Sequence, residues 1–393
     1  MSTPFFKDQD ISVTNSDSWP DSPDRNIWNS GKKAWSSVLT NPDFKNDYDM
    51  SVNLSSYKEL LESCQPVSLN KCIAYKKDPV LLLTRQALDS KKYIVDDTFL
   101  PKSWSDSVIN HHARINKISN TPALYTQALS LIDFEQEKLG DCGFVSTIGA
   151  ISVHPEGHNL LFSSIYPSIY NPMGLYSVRV ISEGEILYVL VDDDFPRESY
   201  SDMVNSNEFW FYIIEKTFAK INGGYQNLGG GFERYFGIDS TENHEITDAN
   251  RNDVWDKYFK TIFHEKGHTT YQGTGSDKNT KYLVSAHAYA VIDTAEWNNI
   301  KLVRLHNPWN VANYEKEFSP NSKEWDSVPD AVQKTTFQRD RFRSLSGSKE
   351  VPKTFWMPYD YYRHDIPKIS ELFLSAKLPA VLKSIAHSNS IQK

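Results

Sequence analysis

Gln136-Glu137-Lys138-Leu139-Gly140-Asp141-Cys142, followed by Gly143 to Ser152, is the stretch that decides how the chain is read. Phe144, Val145, Ile148 and Ile151 recur at helical spacing on one face, so a helix is predicted over 140–152. Cys142 then stands at its opening. A helix N-terminus stabilises negative charge through N–H groups that its own ladder leaves over, and thiolate is the nucleophilic form of cysteine. Gln136, six residues upstream, brings a side-chain amide toward the Cys142 backbone N–H, and two such donors make an oxyanion hole. A buried first-turn cysteine with no chemistry is the commoner reading of a lone Cys.

A nucleophilic thiol needs a base and a group to orient that base. His287 lies in Ser285-Ala286-His287-Ala288-Tyr289-Ala290-Val291, a strand-like run where a histidine is usually a satisfied core residue. Asn307 follows the next predicted strand, in His306-Asn307-Pro308-Trp309, and Pro308 disfavours helix at Asn307. Two neighbouring strands would present His287 and Asn307 side by side. Cys before His before Asn is also the order in papain-type thiol proteases.

The surrounding pattern is α+β. Strands are predicted over 175–180 and 186–191, joined through Ser182-Glu183-Gly184. A helix is expected from Glu208 to Asn222, closed by Gly223-Gly224. Another is expected over 254–263, with Val254, Trp255, Tyr258, Phe259, Ile262 and Phe263 on one side. Core strands are expected from Tyr282 to Ile292 and from Lys301 to Leu305. Residues 1 to about 55 are rich in Ser, Asp, Asn and Pro and read as a loosely ordered arm that Trp19, Trp28 and Trp35 could anchor.

These motifs resemble the protease core of the calpain family, within the papain-like superfamily. Members carry Gln-Gly-x-Leu-Gly-Asp-Cys-Trp, similar to residues 136–143; Gly-His-Ala-Tyr-Ser-Val, similar to 286–291; and Arg-Asn-Pro-Trp-Gly, similar to 306–310. Further blocks, among them Val95 to Pro101, Val189 to Pro196, Asn207 to Gly231, Ser322 to Trp325 and Phe355-Trp356-Met357, extend the likeness over about 82–376. Nothing resembles the family's later β-sandwich or EF-hand domains. The resemblance implies a core of two subdomains with the active-site cleft between them. Residues 82–236 would carry Cys142, and 237–376, β-rich, would carry His287 and Asn307. A polar arm with short helices (1–81) precedes the core, and a tail (377–393) follows it.

By the same resemblance Cys142 is the nucleophile and His287 the general base and acid. Asn307 orients the imidazole, Gln136 holds the oxyanion with the Cys142 N–H, and Trp309 shields the His–Asn bond as a gate over the cleft. Gly143 departs from the family, which has Trp there; loss of the ring is expected to open the cleft and loosen the helix start. The implied activity is intracellular endopeptidase cleavage of proteins or peptides through an acyl-enzyme. The rivals are a weakly catalytic binding protein and a deamidase-type acyl transfer on the same fold.

The family's core closes on calcium at two sites. Asp133 and Glu208 keep acidic ligand positions of the first, where carbonyls complete an oxygen cage. At the second, the ligand positions read Asn313, Pro320, Pro352 and Thr354, with no carboxylate. Leu131 and Thr354 occupy the positions of the charge pair that joins the halves. The resemblance thus implies calcium at one site at most, and Asp133 and Glu208 read equally well as helix-dipole and surface charges. His264-Glu265-Lys266-Gly267-His268 fits His-Glu-x-x-His formally, but Gly267 and the polar run after it read as a helix ending, so no zinc is expected.

Composition narrows the classes. With 393 residues and a net charge of −8, the chain lacks the basic footprint of a nucleic-acid binder. No apolar run reaches the roughly 18 residues of a membrane span. The start, MSTPFFKDQD, does not read as a secretory signal. Cys64, Cys72 and Cys142 are the only cysteines, an odd number that leaves at least one thiol unpaired, so a cytoplasmic, reducing setting is expected.

Overall fold

A computed structural model of the chain describes residues 51–53, 93–99, 101, 112–119, 122–124, 134–137, 139–166, 170–171, 173–182, 185–196, 202–203, 208–265, 268–275, 280–339, 343–346 and 349–387. Apart from 51–53, the expected N-terminal arm lies outside them, as do Cys64 and Cys72. The chain divides into two compact units. One comprises Met1–Leu129, Asn159–Leu228 and Lys377–Lys393, and the other Ser130–His158 and Gly229–Ala376. This grouping differs from a single break near residue 236, and it puts Cys142 in the same unit as His287 and Asn307.

In the first unit, strands Leu175–Ser182 and Glu185–Asp192 form an antiparallel hairpin with Ser182 opposite Glu185, and Ile165–Tyr166 adds a third strand. The helix Trp210–Ile221 supplies Trp210, Phe211, Ile213, Ile214 and Phe218 to the core. Its expected stop is realised as a glycine cap. Gly223 takes φ 77°, the Gly223 N–H donates to Lys220 O, and the Gly224 N–H donates to Ala219 O at 2.8 Å. Asp192, Asp193 and Asp194 each have a basic neighbour: Lys216, Arg114 (2.6 Å) and His112 (2.8 Å). Burial opposes ionisation of Asp192, but Lys216 and Arg114 outweigh it and hold the carboxyl below its usual range. At Asp193 burial wins and raises the carboxyl to about 6.

The second unit is built on a four-stranded antiparallel sheet in the order Thr270–Gly273, Ala288–Trp297, Ile300–His306, Thr354–Pro358. The middle hairpin turns through Asn298 and Asn299, at φ 47° and 65°, the left-handed pair that suits a two-residue turn. Side chains alternate across the sheet. Tyr289, Val291, Val303, Leu305, Phe355 and Met357 join one buried cluster with Trp255, Phe259, Tyr359 and Tyr362. Leu302 and Trp356 join another with Phe318, Trp325 and Phe337.

The helix Cys142–Val153 packs against Ala288–Trp297 and Thr270–Gly273. At Gly149 a Cβ would meet Ala290 Cβ at 3.5 Å and His306 Nδ1 at 3.6 Å, ordinary van der Waals distances, so this contact would accept a methyl group.

Two elements differ from expectation. The helix predicted over 254–263 is α-helical only through Arg251–Val254 and continues as a π-helix over Trp255–Glu265. The wider turn keeps residues four apart nearly in line, and Trp255, Phe259 and Phe263 stack in succession at 5.4 and 6.1 Å. The strand expected from Tyr282 begins only at Ala288. Before it, buried Asp365 accepts the N–H groups of Lys281, Tyr282 and Leu283 at 2.9, 2.6 and 2.7 Å, taking donors a partner strand would otherwise need.

Lys216 and Asp192 form a buried ion pair, so Lys216→Met leaves a carboxylate without its cation. That change is expected to cost about 3–5 kcal/mol of stability. Chemical denaturation checks it, and adding Asp192→Asn should recover part of the loss.

Candidate functional site

Cys142 occupies the first position of its helix and is partly accessible. Asp141 is the N-cap, and its carbonyl accepts the Val145 N–H at 3.1 Å. The first-turn N–H groups fall outside the helical ladder, which makes this end an anion-favouring place for the sulfur.

His287 immediately precedes the strand Ala288–Trp297, and Asn307 immediately follows the adjacent strand Ile300–His306. His287 Nε2 lies 2.8 Å from Asn307 Oδ1. The Trp309 N–H donates to the same oxygen at 3.1 Å, so this atom of the carboxamide is the acceptor. His287 Nε2 must then carry the proton, leaving Nδ1 of the neutral ring with its lone pair. The Trp309 ring lies 4.2 Å from the imidazole, tilted 31°, yet is 38% exposed. It covers the polar pair on one side and meets solvent on the other. Tyr289 meets the imidazole edge to face at 5.0 Å. Both His287 and Asn307 are buried. Burial lowers the imidazole below its ordinary value, partly offset by Asn307.

Gln136 is tied to the same corner, its backbone N–H donating to Pro308 O at 2.8 Å. Its side-chain amide donates to Leu139 O. An amide nitrogen has two hydrogens, which leaves a second donor. Gln136, Cys142, Gly143, His287, Asn307 and Trp309 therefore all belong to one compact unit.

Gly143 has a tighter setting than its sequence position suggested. A Cβ there would stand 2.9 Å from Gly230 N and 3.1 Å from Gly229 C. The room expected from a missing ring is filled by backbone. That loop is held in turn by Tyr271, whose hydroxyl accepts the Gly231 N–H at 2.7 Å and donates to Glu233 at 3.2 Å. Glycine is thus required here by close approach, and the Gly229-Gly230 backbone is packing for the helix start.

The other sequence candidates fall elsewhere. Glu208 is buried in the first unit, and Asp133 lies outside the described residues. No group of three or more metal-ligating side chains occurs among the described residues. The helix carrying His264 ends at Glu265, as the glycine there suggested. His268 bonds to Glu371 at 2.5 Å and stacks on His154 at 5.6 Å. Sequence reasoning missed Thr274, Tyr289 and the Pro308 carbonyl, because none carries a motif and each acts through a tertiary contact.

In Gly143→Ala the methyl must displace the Gly229-Gly230 backbone. Overpacking of this kind costs about 1–3 kcal/mol, against the roughly 1 kcal/mol that alanine gains over glycine in a helix interior. The expected outcome is a lower denaturation midpoint; a raised one would contradict the packing described.

Comparison with known proteins bears on this arrangement. Residues 94–369 match the calpain family of cysteine proteases. The chain is 29% identical over 264 residues to the calpain-type cysteine protease ADL1 of Oryza sativa subsp. japonica, covering 63% of this chain and 12% of that protein. It is 31% identical over 226 residues to the calpain-type cysteine protease DEK1 of Zea mays, covering 53% and 10%. It is 27% identical over 297 residues to the calpain-1 catalytic subunit of Sus scrofa, covering 69% and 38%. The chain thus matches well under half the length of these relatives. The matched segment takes in the Cys142 helix, the His287–Asn307 pair and the sheet that carries them, and this chain belongs to the calpain family of cysteine proteases.

Proposed function

We propose that the chain is an endopeptidase that cleaves protein substrates through a Cys142–His287–Asn307 triad. The observation that carries this reading is the buried His287–Asn307 hydrogen bond. It fixes the imidazole tautomer with Nδ1 as the base, in the unit whose helix opens at Cys142. In this mechanism Cys142 gives its proton to His287 Nδ1 and the sulfur adds to the scissile carbonyl carbon. The Cys142 N–H and the second Gln136 amide hydrogen stabilise the oxyanion. Collapse expels the amine, which takes the proton from His287. Water, deprotonated by the same ring, then hydrolyses the thioester and restores the thiol. Asn307 stays neutral throughout and contributes orientation rather than charge.

Calcium belongs to the proposal at one site at most, through Asp133 and Glu208. Glu208 is a buried carboxylate, as a hard-oxygen site would use. One observation favours loss of the second site. Thr354 Oγ1 accepts from the buried Arg304 guanidinium at 2.9 Å, and a fixed cation there opposes a divalent ion. Among the described residues no helix is long and apolar enough to cross a membrane. A cytoplasmic setting, with no nucleic-acid partner, remains part of the proposal.

Cys142→Ala should abolish cleavage of an unfolded protein substrate, while Cys64→Ala with Cys72→Ala should not. His287→Ala should lower kcat by about 10²–10⁴, the usual contribution of acid–base catalysis, and Asn307→Ala by less. Full cleavage by Cys142→Ala would refute the mechanism. Release of ammonia without new amino termini would establish the deamidase instead.

Cleavage titrated with calcium should give a shallow, one-site response that Asp133→Ala with Glu208→Ala removes. A steep multi-ion response, or two bound ions by calorimetry, would contradict the single site.

A further inference from the structure

The imidazole of His287 is held at its ring by Asn307, but its backbone is held by a residue outside the triad. The ladder between Thr270–Gly273 and Ala288–Val291 ends at the pair Gly273 and Ala288. One step further, Thr274 faces His287 in an altered pairing. The Thr274 N–H donates to His287 O at 2.9 Å, as a strand would. The His287 N–H, however, donates to the Thr274 hydroxyl oxygen at 3.1 Å instead of a main-chain carbonyl. That hydroxyl has one proton. It lies 2.7 Å from Val284 O and 3.1 Å from His287 O, so the shorter contact to Val284 takes it.

Between these two anchored points sits Ala286, at φ 52°, a left-handed conformation that a residue with a Cβ adopts rarely. Its N–H donates to Gly275 O at 3.0 Å. A strained residue persists only where its surroundings over-determine it. Here one buried hydroxyl closes the loop on both sides of the strain, bonding Val284 before it and His287 after it. The unusual turn at Ala286 sets the direction from which His287 enters the strand.

We infer that Thr274 is a positioning residue for His287, its hydroxyl clamping Val284 and the His287 peptide so that the strained Ala286 turn aims the imidazole. This rests on the triad reading above. Thr274 touches no reacting atom. Replacing it with valine keeps the shape and removes the hydroxyl, leaving the buried His287 N–H and the half-buried Val284 C=O without their partner. The loop can recover those bonds only by moving, and the histidine moves with it.

The test uses the full chain with Thr274→Val, Thr274→Ser, the pair Thr274→Val with Ala286→Gly, and His287→Ala. Two quantities are read: kcat and KM on a peptide substrate, and the rate at which iodoacetamide labels Cys142 at pH 6 and pH 9, followed by mass spectrometry of the Cys142 peptide. At pH 9 solvent ionises an ordinary thiol unaided; at pH 6 a nearby base is needed.

In Thr274→Val we expect kcat to fall about 10- to 100-fold, the scale of a displaced catalytic group. KM should stay within about 2-fold. Labelling at pH 6 should fall in parallel, with the pH 9 rate nearly unchanged. Thr274→Ser should restore both readouts. Ala286→Gly removes the strain that the hydroxyl restrains, so the double variant should fold and regain part of the loss.

Wild-type kcat and pH 6 labelling in Thr274→Val would overturn the inference. So would a loss of kcat with unchanged pH 6 labelling, the mark of a general structural role. If Thr274→Val does not fold, a double variant that folds but labels at pH 6 like wild type overturns it as well. His287→Ala separates the two levels. If it labels like wild type at pH 6, the triad reading has failed; if it loses pH 6 labelling while Thr274→Val keeps it, only the clamp has failed.

Discussion

A histidine ring and an asparagine carboxamide, both removed from water at the end of a sheet, satisfy each other across 2.8 Å, and much of the second unit is arranged to keep that contact. An imidazole buried without a partner carries the desolvation cost of a polar group, while one with a partner has its tautomer fixed. Asn307 Oδ1 accepts from the ring and from the Trp309 N–H, so the turn carrying the acceptor is held by the acceptor itself. The Trp309 ring over the imidazole keeps competing water off one side. Strands Ala288–Trp297 and Ile300–His306 place the two residues by register, with Ala290 opposite His306.

Close approach is the second constraint. The Cys142 helix packs on this sheet, and its first turn lies on the Gly229-Gly230 backbone through Gly143. A glycine that looks like a departure from its family is, in its surroundings, the residue that the neighbouring loop permits. The loss of a ring and the glycine-rich loop are two sides of one packing solution, with Tyr271 and Glu233 fixing the loop from behind. In the first unit, charge plays the ordering part. Three consecutive aspartates are each paired with a basic side chain of the same unit, Lys216, Arg114 and His112.

Local chemistry was legible wherever neighbours in sequence are neighbours in space. The Cys142 helix, the Leu175–Asp192 hairpin and the glycine cap after Ile221 follow from side-chain period and from the conformational freedom of Gly223. The motifs around Cys142, His287 and Asn307 marked the family because each is a contiguous run. The strand start near Tyr282 and the winding of Trp255–Glu265 were not legible. Asp365, more than eighty residues away, takes the donors of the first, and stacking of aromatic rings within a packed core accompanies the second.

What the sequence determined alone was a set of candidate groups and the elements that begin or end beside them: a thiol at a helix start, an imidazole entering one strand, and a carboxamide leaving the next. The tertiary structure decided the rest. It grouped Cys142 with the sheet bearing His287 and Asn307, and it turned Gly143 from a missing ring into a required close contact. It also brought the Thr274 hydroxyl to the backbone of His287. The physical reason is range. Periodicity and capping act within a turn or two of chain, whereas burial, hydrogen-bond satisfaction and steric fit depend on segments that meet only after the chain has folded.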